Sequence, residues 1–502
     1  MTAWRWFGVG AVLGTALVVA AFALQPAGRP GRRLQHTEVA AVAKPGAPAP
    51  SLPPFATDVE HPNILLIIGD DYGQDQVGAY KVHPRPPPSP RIDALAAQGM
   101  LFRNVNTNPV CSPTRATIMT GRYSYRYGIG SAIPPRKGWG LPEDEKVLAR
   151  VMKEASGGLY HTAMIGKWHL ATPDMGGADH ARVVGFDHHF GTMGNLLGPV
   201  YGTTQPMTYF HWSKVEDGEI SESHDYVTTV TTDDAIRWAG ELPEPWLIVV
   251  SYNLTHYPQH LPPPELFTQE VVEHPTETDL YRLMAEALDT EVGRLVDHID
   301  AGVRSRTDII FMGDNGTAPI GVIDPFPRTD SKGALTRGGV AVPFIVAGPS
   351  VRTPGSESST LINSTDLFAT IVELAGLEAP APADSVSFAK VLQDPTLRTR
   401  RYAYAEHFSP NGMGPWDEHG AAVMDDRYKL VVVDGKPEAL YDSQRDPLEQ
   451  HNLLKLGQPP EELRKAFKRL KYVFPEAIEL QGRPTDAEMR ADGLELEPKL
   501  GG

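Results

Sequence analysis

The chain has 502 residues, a formal net charge of −16 and a hydrophobic share of 41%. A chain of this length and composition can bury a large core, which argues against an intrinsically disordered protein. The acidic balance argues against a nucleic-acid-binding protein, which needs a basic face, and the single cysteine excludes an internal disulfide.

The N-terminal segment has the composition of an export signal. A short n-region containing one arginine precedes an uncharged apolar run at residues 7–24. This pattern predicts a signal peptide over residues 1–24, and a retained membrane anchor is the alternative because the run is long. Residues 25–60 are rich in Pro and Ala and are typical of a flexible spacer. We therefore expect an exported protein, periplasmic or extracellular, which stays membrane-anchored if the segment is kept.

The region that follows alternates between apolar strands and amphipathic helices. The predicted strands span residues 63–68, 161–165, 246–251, 307–312 and 342–346, and the predicted helices span 91–99, 144–155, 233–239, 280–299 and 365–375. Short, continuously apolar runs suit strands that are buried on both faces of a parallel sheet. The alternation predicts an α/β fold with a large, mostly parallel central sheet flanked by helices, over residues 61–382.

The pattern changes after residue 382. Short strands at residues 401–407, 421–424 and 428–433 are separated by tight polar turns, and a helix is predicted at 461–473. This arrangement predicts a small C-terminal α+β subdomain with an antiparallel sheet over residues 383–480. Residues 481–502 are interpreted as a loose polar tail.

Polar side chains follow four of the predicted buried strands. They are Asp70, Asp71, Lys167, His169, His256, Asp314 and Asn315. Ligands of open α/β sheets bind at the carboxyl ends of the strands, so we expect these groups to meet at one edge. One acidic pair after a strand is usually only a turn, but four such strand ends on one sheet indicate a functional site.

Four of these side chains offer only oxygen ligands. Asp70, Asp71, Asp314 and Asn315 suit a hard cation, Ca²⁺ or alternatively Mg²⁺, whereas zinc prefers His or Cys ligands. Ordinary Asp-rich turns are the competing interpretation. His260, four residues after His256, suggests a zinc pair, but the prolines around it argue against a ligand helix, so we assign it no role.

The segment Cys111-Ser-Pro-Thr-Arg115 is the most specific pattern in the chain. Pro113 suits the first position of a helix with Ser112 as its N-cap, which places Cys111 at a helix N-terminus where an anion is favoured. Arg115 lies about one turn further on and can reach the same point. A buried structural cysteine is the competing interpretation.

This segment, followed by Met119-Thr-Gly-Arg-Tyr123, resembles the signature of the type I sulfatases, which belong to the alkaline phosphatase superfamily. The resemblance continues in the same order along most of the chain. Its further parts are residues 63–73, 166–170, 311–316, 331–333 with 338–340, and 440–442 with 446–447 and 452–453. Several motifs in the right order are much more specific than one.

The resemblance implies a sulfatase of arylsulfatase type that hydrolyses aryl or carbohydrate sulfate esters. Cys111 would be oxidised to formylglycine by a maturation enzyme, hydrated to a gem-diol and bound to the metal together with the four oxygen ligands. Arg115, Lys167, His256 and Lys332 would hold the sulfate, either His256 or Lys332 would protonate the leaving alcohol, and His169 would accept a proton as sulfate is released. The implied partners are a sulfated small molecule or glycan and the maturation enzyme, and no nucleic acid.

Some positions depart from the family pattern. Arg337 and Ala341 flank the Gly-Gly pair where the family often has an acidic residue and an arginine, and Tyr257 follows His256 in place of the commoner threonine. Two other functions stay open. One is a phosphate or phosphonate esterase of the same superfamily, because sulfate and phosphate are similar in size. The other is a sulfated-glycan-binding protein without turnover, in which Cys111 stays unmodified.

Overall fold

The structure is a computed structural model that describes residues 54–500, except residues 136, 323–325, 476–477, 479, 481 and 497. The predicted signal peptide or anchor, and all but the end of the spacer, lie outside the described residues. Among the helices that are described, none combines the length and the apolar character needed to cross a membrane.

The described residues form fourteen strands and eleven α-helices. The strands are β1 (Asn63–Gly69), β2 (Met100–Asn106), β3 (His161–Lys167), β4 (His188–Thr192), β5 (Trp212–Glu216), β6 (Glu219–Ser223), β7 (Trp246–Ser251), β8 (Thr307–Gly313), β9 (Phe344–Ala347), β10 (Ser356–Asn363), β11 (Ala403–Ser409), β12 (Glu418–Met424), β13 (Tyr428–Val433) and β14 (Lys436–Asp442). The helices are α1 (Pro90–Gln98), α2 (Cys111–Thr120), α3 (Leu148–Ala155), α4 (His180–Val183), α5 (Val227–Glu241), α6 (Glu277–His298), α7 (Ala301–Ser305), α8 (Arg337–Val340), α9 (Asp366–Leu374), α10 (Glu461–Val473) and α11 (Asp486–Ala491).

Ten strands form one large sheet in the order β10-β2-β9-β8-β1-β7-β3-β4-β5-β6. Its central strands β8, β1, β7, β3 and β4 are parallel, and β9 and β5 run antiparallel to their neighbours. The mostly parallel α/β sheet predicted from the sequence is thus confirmed.

Strand β1 lies at the centre of the sheet and is buried on both faces. Ile64, Leu66 and Ile68 belong to a core with helices α2, α3 and α9, whereas Leu65 and Ile67 belong to a second core with α1, α5 and α6. This alternation follows from the two-residue period of a strand, and it explains why the run is apolar without a break.

Several elements differ from the sequence predictions. Strand β9 is antiparallel to both of its neighbours and begins at Phe344 rather than at residue 342, after Pro343, which has no N–H to donate. Helix α5 begins at Val227, because burial of its β-branched first turns outweighs their low helix propensity. Helix α3 begins at Leu148 because the chain before it turns at residues 142–145, where the Glu145 amide donates to the Pro142 carbonyl and the Glu145 side chain pairs with Arg122.

The second sheet contains β11, β12, β13 and β14 in sequence order, and every pair is antiparallel. This confirms the small antiparallel C-terminal sheet, although β14 was not predicted. The tail also contains helix α11, which begins with a capping box between Thr485 and Glu488. The division of the chain at residue 382 stays a prediction.

Candidate active site

The candidate site lies at the carboxyl ends of four neighbouring strands, β8, β1, β7 and β3. Strand β1 leads into Asp70 and Asp71, β8 into Asp314 and Asn315, and β7 into the loop that carries His256, while Lys167 is the last residue of β3. The four strand ends singled out by the sequence are therefore adjacent. Because parallel strands present their carboxyl ends at one edge, polar side chains far apart in the chain meet there.

The oxygen-bearing side chains form one buried cluster. The Asp71 amide donates to Asp314 Oδ1 at 3.0 Å, and Asn315 Nδ2 donates to Asp71 Oδ1 at 2.9 Å. All four side chains, including Asp70, are between 0 and 3% exposed. Three buried carboxylates need compensating positive charge, which side chains or a cation can supply.

The donor set fits a hard divalent cation. Asp70 Oδ1 and Asn315 Oδ1 are both buried and have no hydrogen-bond donor. A buried oxygen without a partner is costly, and coordination to a cation is one way to satisfy it. The potential ligand atoms of Asp70, Asp314 and Cys111 lie within 4.8 Å of one another. This combination matches the preference of Ca²⁺ and Mg²⁺ for oxygen ligands.

Cys111 occupies the first position of helix α2 and is fully buried. The residue before it, Val110, is the N-cap, so the prediction of Ser112 in that role is wrong. Ser112 lies inside the helix, where its hydroxyl accepts a hydrogen bond from the Ile133 amide at 3.0 Å. The expectation that residue 111 lies at a helix N-terminus is confirmed.

Two contacts connect Cys111 to charged groups. Lys332 Nζ lies 3.4 Å from its Sγ, and Asp71 Oδ1 lies 3.9 Å from the same atom. Burial raises the pKa of the thiol to about 12, although the Lys167 and Lys332 ammonium groups act in the opposite direction. The unmodified thiol is thus neutral at physiological pH, which makes it a poor nucleophile as it stands.

Two cationic side chains, Arg115 on α2 and Lys167 at the end of β3, bind the carboxylates of Asp314 and Asp70. Arg115 donates through Nε and Nη2 to Asp314 Oδ2 at 3.0 and 2.8 Å, and Nη2 lies 3.6 Å from Asp70 Oδ1. Lys167 Nζ lies 2.5 Å from Asp70 Oδ2. Both cationic side chains are almost completely buried, so their attraction to the carboxylates is weakly screened.

Lys332 is the third cationic side chain of the cluster, and it pairs with Asp71. Its Nζ lies 2.6 Å from Asp71 Oδ1, and its backbone amide donates to the Thr317 carbonyl at 2.9 Å. Burial alone would lower the pKa of Lys332, but Asp71 and Cys111 outweigh burial and raise it. The ammonium group therefore stays charged across the physiological range.

The pKa values of the neighbouring carboxyl groups of Asp70 and Asp314 are shifted in opposite directions. Burial, followed by the charge of the nearby Asp70 carboxylate, raises the pKa of Asp314 to about 7. Burial also favours the neutral form of Asp70, but Lys167, His256 and Arg115 together lower its pKa well below the usual value. Of these two carboxylates, Asp314 therefore takes up a proton first as the pH falls.

His169 follows β3 with a left-handed backbone conformation, φ = 59°. This conformation turns the chain, so the two-residue spacing from Lys167 is not that of one face of an extended strand. His169 Nε2 lies 2.9 Å from the Ile133 carbonyl, which can only accept, so Nε2 carries the proton. Its Nδ1 is buried without a partner. Burial, followed by the charges of Lys167 and Arg115, lowers the pKa of His169 well below the usual value.

His256 faces the cluster from the loop after β7. A ring nitrogen of His256, a carboxylate oxygen of Asp71 and the sulfur of Cys111 lie within 4.8 Å of one another. Its Nδ1 lies 2.8 Å from the Tyr257 carbonyl, which leaves Nε2 as the unprotonated nitrogen. Burial, followed by the charge of Lys332, lowers the pKa of His256 to about 4.

The sequence did not identify several residues that support the site. The Arg115 guanidinium donates to the Ser251 hydroxyl and, at 2.9 Å, to the Lys167 carbonyl. Tyr281 on α6 donates its hydroxyl to the Asp71 carbonyl at 2.7 Å. Ser and Tyr are common in any strand or helix, so only their position in the fold distinguishes them.

Between residues 191 and 225 the sequence has four aromatic residues that are candidates either for the mouth of the pocket or for the core, and the structure divides them. Tyr201 and Phe210 are 61% and 41% exposed, but Tyr209 and Trp212 are buried core residues. The Tyr209 hydroxyl donates to the His256 carbonyl at 2.8 Å and therefore supports the loop after β7. The ring of His260 stacks on Tyr209 and is hydrogen-bonded to Tyr226, which agrees with leaving His260 without a role at the site.

The fold and the collected side chains are those of an enzyme for anionic esters. The family model described as "Sulfatase" matches residues 62–377, and that of the C-terminal region of N-sulphoglucosamine sulphohydrolase matches residues 332–473. The first of these matches covers more than half of the chain. The chain belongs to the type I sulfatase family, and it is a sulfuric ester hydrolase.

Individual relatives agree with this assignment. The chain is 29% identical to arylsulfatase G of Rattus norvegicus over 430 residues, which are 76% of this chain and 78% of the relative. It is 29% identical to N-acetylgalactosamine-6-sulfatase of Homo sapiens, over 64% of this chain and 63% of the relative. It is 26% identical to an ulvan-active sulfatase of Formosa agariphila, over 79% and 78%.

Solved structures share the fold. The crystal structure of Ps i-CgsB in complex with k-i-k-neocarrahexaose has a TM-score of 0.69 and 23% identity, and the match covers 86% of this chain and 98% of that one. The structure of BT4656 in complex with D-glucosamine-2-N,6-O-disulfate has a TM-score of 0.64 and 19% identity, and the match covers 82% and 97%.

Proposed function

We propose that this sulfatase hydrolyses carbohydrate or aryl sulfate monoesters with a formylglycine made from Cys111 and one divalent cation, Ca²⁺ or alternatively Mg²⁺. Asp70, Asp71, Asp314 and Asn315 would hold the cation beside residue 111. The observation that carries the proposal is the position of Cys111 at the N-terminus of α2, in contact with Lys332 and Asp71. At that position the helix N-terminus, the Lys332 ammonium group and the proposed cation would each favour a bound anion.

When present, the hydrated aldehyde supplies the nucleophile, and the cation lowers the pKa of its hydroxyl group and offsets the charge of the sulfate. The protein side chains bind and orient the ester. Three cationic donors near residue 111 can hold the sulfate oxygens. Lys332 contacts its Sγ, and Arg115 and Lys167 bind the adjacent carboxylates of Asp314 and Asp70. Since these donors are buried and held in place by the carboxylates, they need little reorganisation to stabilise developing negative charge.

His169 is suited to accept a proton. Its Nε2–H donates to the Ile133 carbonyl, so its buried Nδ1 is left as the acceptor. The low pKa of the ring keeps this nitrogen unprotonated at neutral pH. We assign to it the acceptance of the proton from the second hydroxyl of residue 111 as sulfate is released.

Of the two candidate proton donors, His256 suits the leaving alcohol better than Lys332. The raised pKa of Lys332 makes its ammonium a weak acid, and its contacts with Asp71 and Cys111 suit a fixed charge. The pKa of His256 near 4 makes its protonated form a strong acid, and its Nε2 is not engaged by the Tyr257 carbonyl that holds Nδ1. We therefore assign the proton donation to His256 and sulfate binding to Lys332.

Exposed aromatic rings favour a carbohydrate as the alcohol part of the ester. Tyr257, directly after His256, is 55% exposed, and Phe210 packs on Tyr226 beside the same loop. Exposed rings of this kind stack on the apolar faces of sugars. Relatives named for N-acetylgalactosamine-6-sulfate and ulvan are consistent with this class of substrate.

We further propose that the chain is exported to the periplasm or the cell exterior by residues 1–24, which either are cleaved or remain as an anchor. The support is the apolar run after a positive n-region. The maturation enzyme that converts Cys111 would then be a transient partner. N-terminal sequencing of the protein from separated cell fractions tests both points, and a cytoplasmic chain with an intact N-terminus would contradict them.

The central test combines mass spectrometry with paired assays. The peptide that contains residue 111 should show the mass of formylglycine, and the protein should hydrolyse aryl sulfates much faster than the matching aryl phosphates. Cys111→Ala should abolish turnover with an unchanged melting temperature. Full sulfatase activity with an unmodified thiol, or in Cys111→Ala, would refute the nucleophile. Faster cleavage of the phosphate would favour the phosphoesterase alternative, and an unmodified Cys111 together with absence of turnover would favour a binding protein.

A further inference from the structure

A second cluster of metal-ligand side chains lies on the hairpin formed by β5 and β6. In this hairpin Trp212 pairs with Ser223, and Ser213 pairs with Glu222. Continuing this register by one residue places His211 opposite His224, and their rings stack with centroids 4.4 Å apart. Glu222 is two residues before His224 and therefore points to the same face of the ribbon. Two imidazoles and a carboxylate thus share one face at the open end of the hairpin.

Both imidazoles converge on one carboxylate oxygen. Glu222 Oε1 lies 2.6 Å from His211 Nε2 and 3.3 Å from His224 Nε2. The three potential ligand atoms lie within 4.8 Å of one another. Ligand atoms of a tetrahedral zinc ion, at about 2.1 Å from the metal, are separated by roughly 3.4 Å. The observed separations of 2.6 and 3.3 Å, with all three atoms within 4.8 Å of one another, bracket that value.

We propose that His211, Glu222 and His224 form a second metal site, which binds a transition-metal ion such as Zn²⁺. Two neutral imidazoles and one carboxylate are the ligands that zinc and its neighbours prefer, whereas Ca²⁺ and Mg²⁺ prefer the all-oxygen set near Cys111. His224 and Glu222 are exposed, and His211 is partly buried, so an ion can enter from solvent and keep water at its remaining position.

The site is distinct from the active site but connected to it through a short segment. β6 is the edge strand of the large sheet, whereas the active site lies at the ends of its central strands. Tyr209, two residues before His211, donates its hydroxyl to the backbone of the loop that carries His256. A metal bound to His211 and His224 therefore fixes the start of β5 and restrains the segment that contains Tyr209.

The test is equilibrium dialysis of the full-length protein against Zn²⁺ in the presence of excess Ca²⁺, which occupies the oxygen site. The wild-type protein should bind one zinc ion that the double variant His211→Asn/His224→Asn does not bind, or binds at least tenfold more weakly. His298→Asn/His451→Asn is the matched control, because both residues are exposed histidines elsewhere on the surface. The control should bind zinc as the wild type does.

A spectroscopic measurement and a milder variant complete the design. Bound Cu²⁺ should show coupling to two imidazole nitrogens in its electron paramagnetic resonance spectrum, and this signal should be absent from the double variant. Glu222→Gln, a change to an exposed side chain, should weaken zinc binding without altering the melting temperature of the metal-free protein. Equal zinc binding by the wild type and the double variant, or no zinc bound by the wild type, would overturn the proposal.

Discussion

At the scale of single residues, Lys332 lies between Cys111, the proposed nucleophile position, and Asp71, one of the proposed metal ligands. Its ammonium group contacts Cys111 Sγ at 3.4 Å and the Asp71 carboxylate at 2.6 Å. A group beside the proposed nucleophile binds a sulfate oxygen more strongly when it is charged. The raised pKa of Lys332 provides that charge.

Replacement of Lys332 by Met should lower kcat/KM for sulfate esters by about 100-fold or more, since a preorganised donor to developing charge is lost. The comparison is Lys137→Met, because the side chain of Lys137 is 86% exposed and forms only a surface ion pair. Steady-state kinetics and melting curves of both variants check this expectation. An equal, small effect in the two variants would remove Lys332 from the active site.

The low pKa of His256 predicts how the rate depends on pH. A group with a pKa near 4 is protonated in about one molecule in ten at pH 5 and about one in a thousand at pH 7. A bound cation lowers this pKa further and so acts in the same direction. If protonated His256 supplies the proton, kcat/KM for alkyl sulfates should rise as the pH falls from about 7 to 5.

The leaving group provides the control for this prediction. Nitrophenol leaves as a stable anion and needs no proton, so kcat/KM for nitrophenyl sulfate should change much less over the same pH range. His256→Asn should remove the rise for alkyl sulfates and spare nitrophenyl sulfate. Parallel pH–rate profiles for the two substrates in the wild type would show that His256 is not the donor.

At the scale of elements, the central strands were predictable because they carry the strongest signal. The run Asn63–Gly69 is apolar on both faces, and its carboxyl end is marked by Asp70 and Asp71. The other three strands of the site carry the same pattern, so the sequence identified the polar groups that the fold brings together. What it could not provide was strand order, because the pairing of β1 with β8 joins residues more than 240 positions apart.

Other features were missed although a signal was present. The hairpin of β5 and β6 turns at Asp217-Gly218, and that of β13 and β14 turns at Asp434-Gly435, with positive φ at all four residues. Asp-Gly is the typical sequence of a two-residue hairpin turn, and it would have revealed β6 and β14. The N-cap of α2 could not be read in this way, because tertiary packing holds Ser112 against Ile133.

Strand β4 contains a histidine that should make the protein sensitive to acid. His189 is 1% exposed, and its ring has only a weak contact with the Ala178 backbone, short of a well-formed hydrogen bond. Burial, followed by the charge of His188, lowers its pKa to about 4, whereas the unfolded chain binds this proton near pH 6.5. Stability is therefore lost as the pH falls through 6.5 towards 4, because the unfolded state binds more protons.

Between about pH 7 and pH 5 this single group should lower the free energy of unfolding by about 2 kcal/mol. His189→Phe removes the titrating group and should reduce the fall in melting temperature over that range. His451→Phe, a change at an exposed histidine, should leave the fall unchanged. Melting curves at several pH values provide the measurement, and identical pH dependence in His189→Phe and wild type would contradict the assignment.

At the scale of the whole molecule, the C-terminal sheet supports the segment that carries Lys332. Lys429 on β13 forms a buried ion pair with Glu449 at 2.9 Å, and the same carboxylate accepts a hydrogen bond from the Arg337 amide at 2.8 Å. Arg337 begins α8, which follows Lys332 by a few residues. The two sheets therefore cooperate, since the large one carries the proposed metal ligands and the small one supports the segment that carries Lys332.

Removal of the divalent cation should destabilise the protein without unfolding it. Chelation would leave the carboxylates of Asp70, Asp71 and Asp314 close together, and Arg115, Lys167 and Lys332 would offset only part of their repulsion. We expect the melting temperature to fall on chelation and to recover when Ca²⁺ is restored, because a ligand that binds only the native state stabilises it. An unchanged melting temperature would argue against a cation at these residues.

The same cluster predicts that calcium affinity depends on pH. The pKa of Asp314 in the metal-free protein is about 7, raised first by burial and then by Asp70. A cation has to displace this proton, so apparent affinity should fall by about tenfold for each pH unit below 7 and should level off above it. Binding near pH 6 should release close to one proton, which calorimetry in two buffers of different ionisation enthalpy detects. Asp314→Asn should abolish this proton release and weaken calcium binding. In the wild-type protein, a calcium affinity that is constant from about pH 5.5 to 7.5 would show that Asp314 is not a ligand.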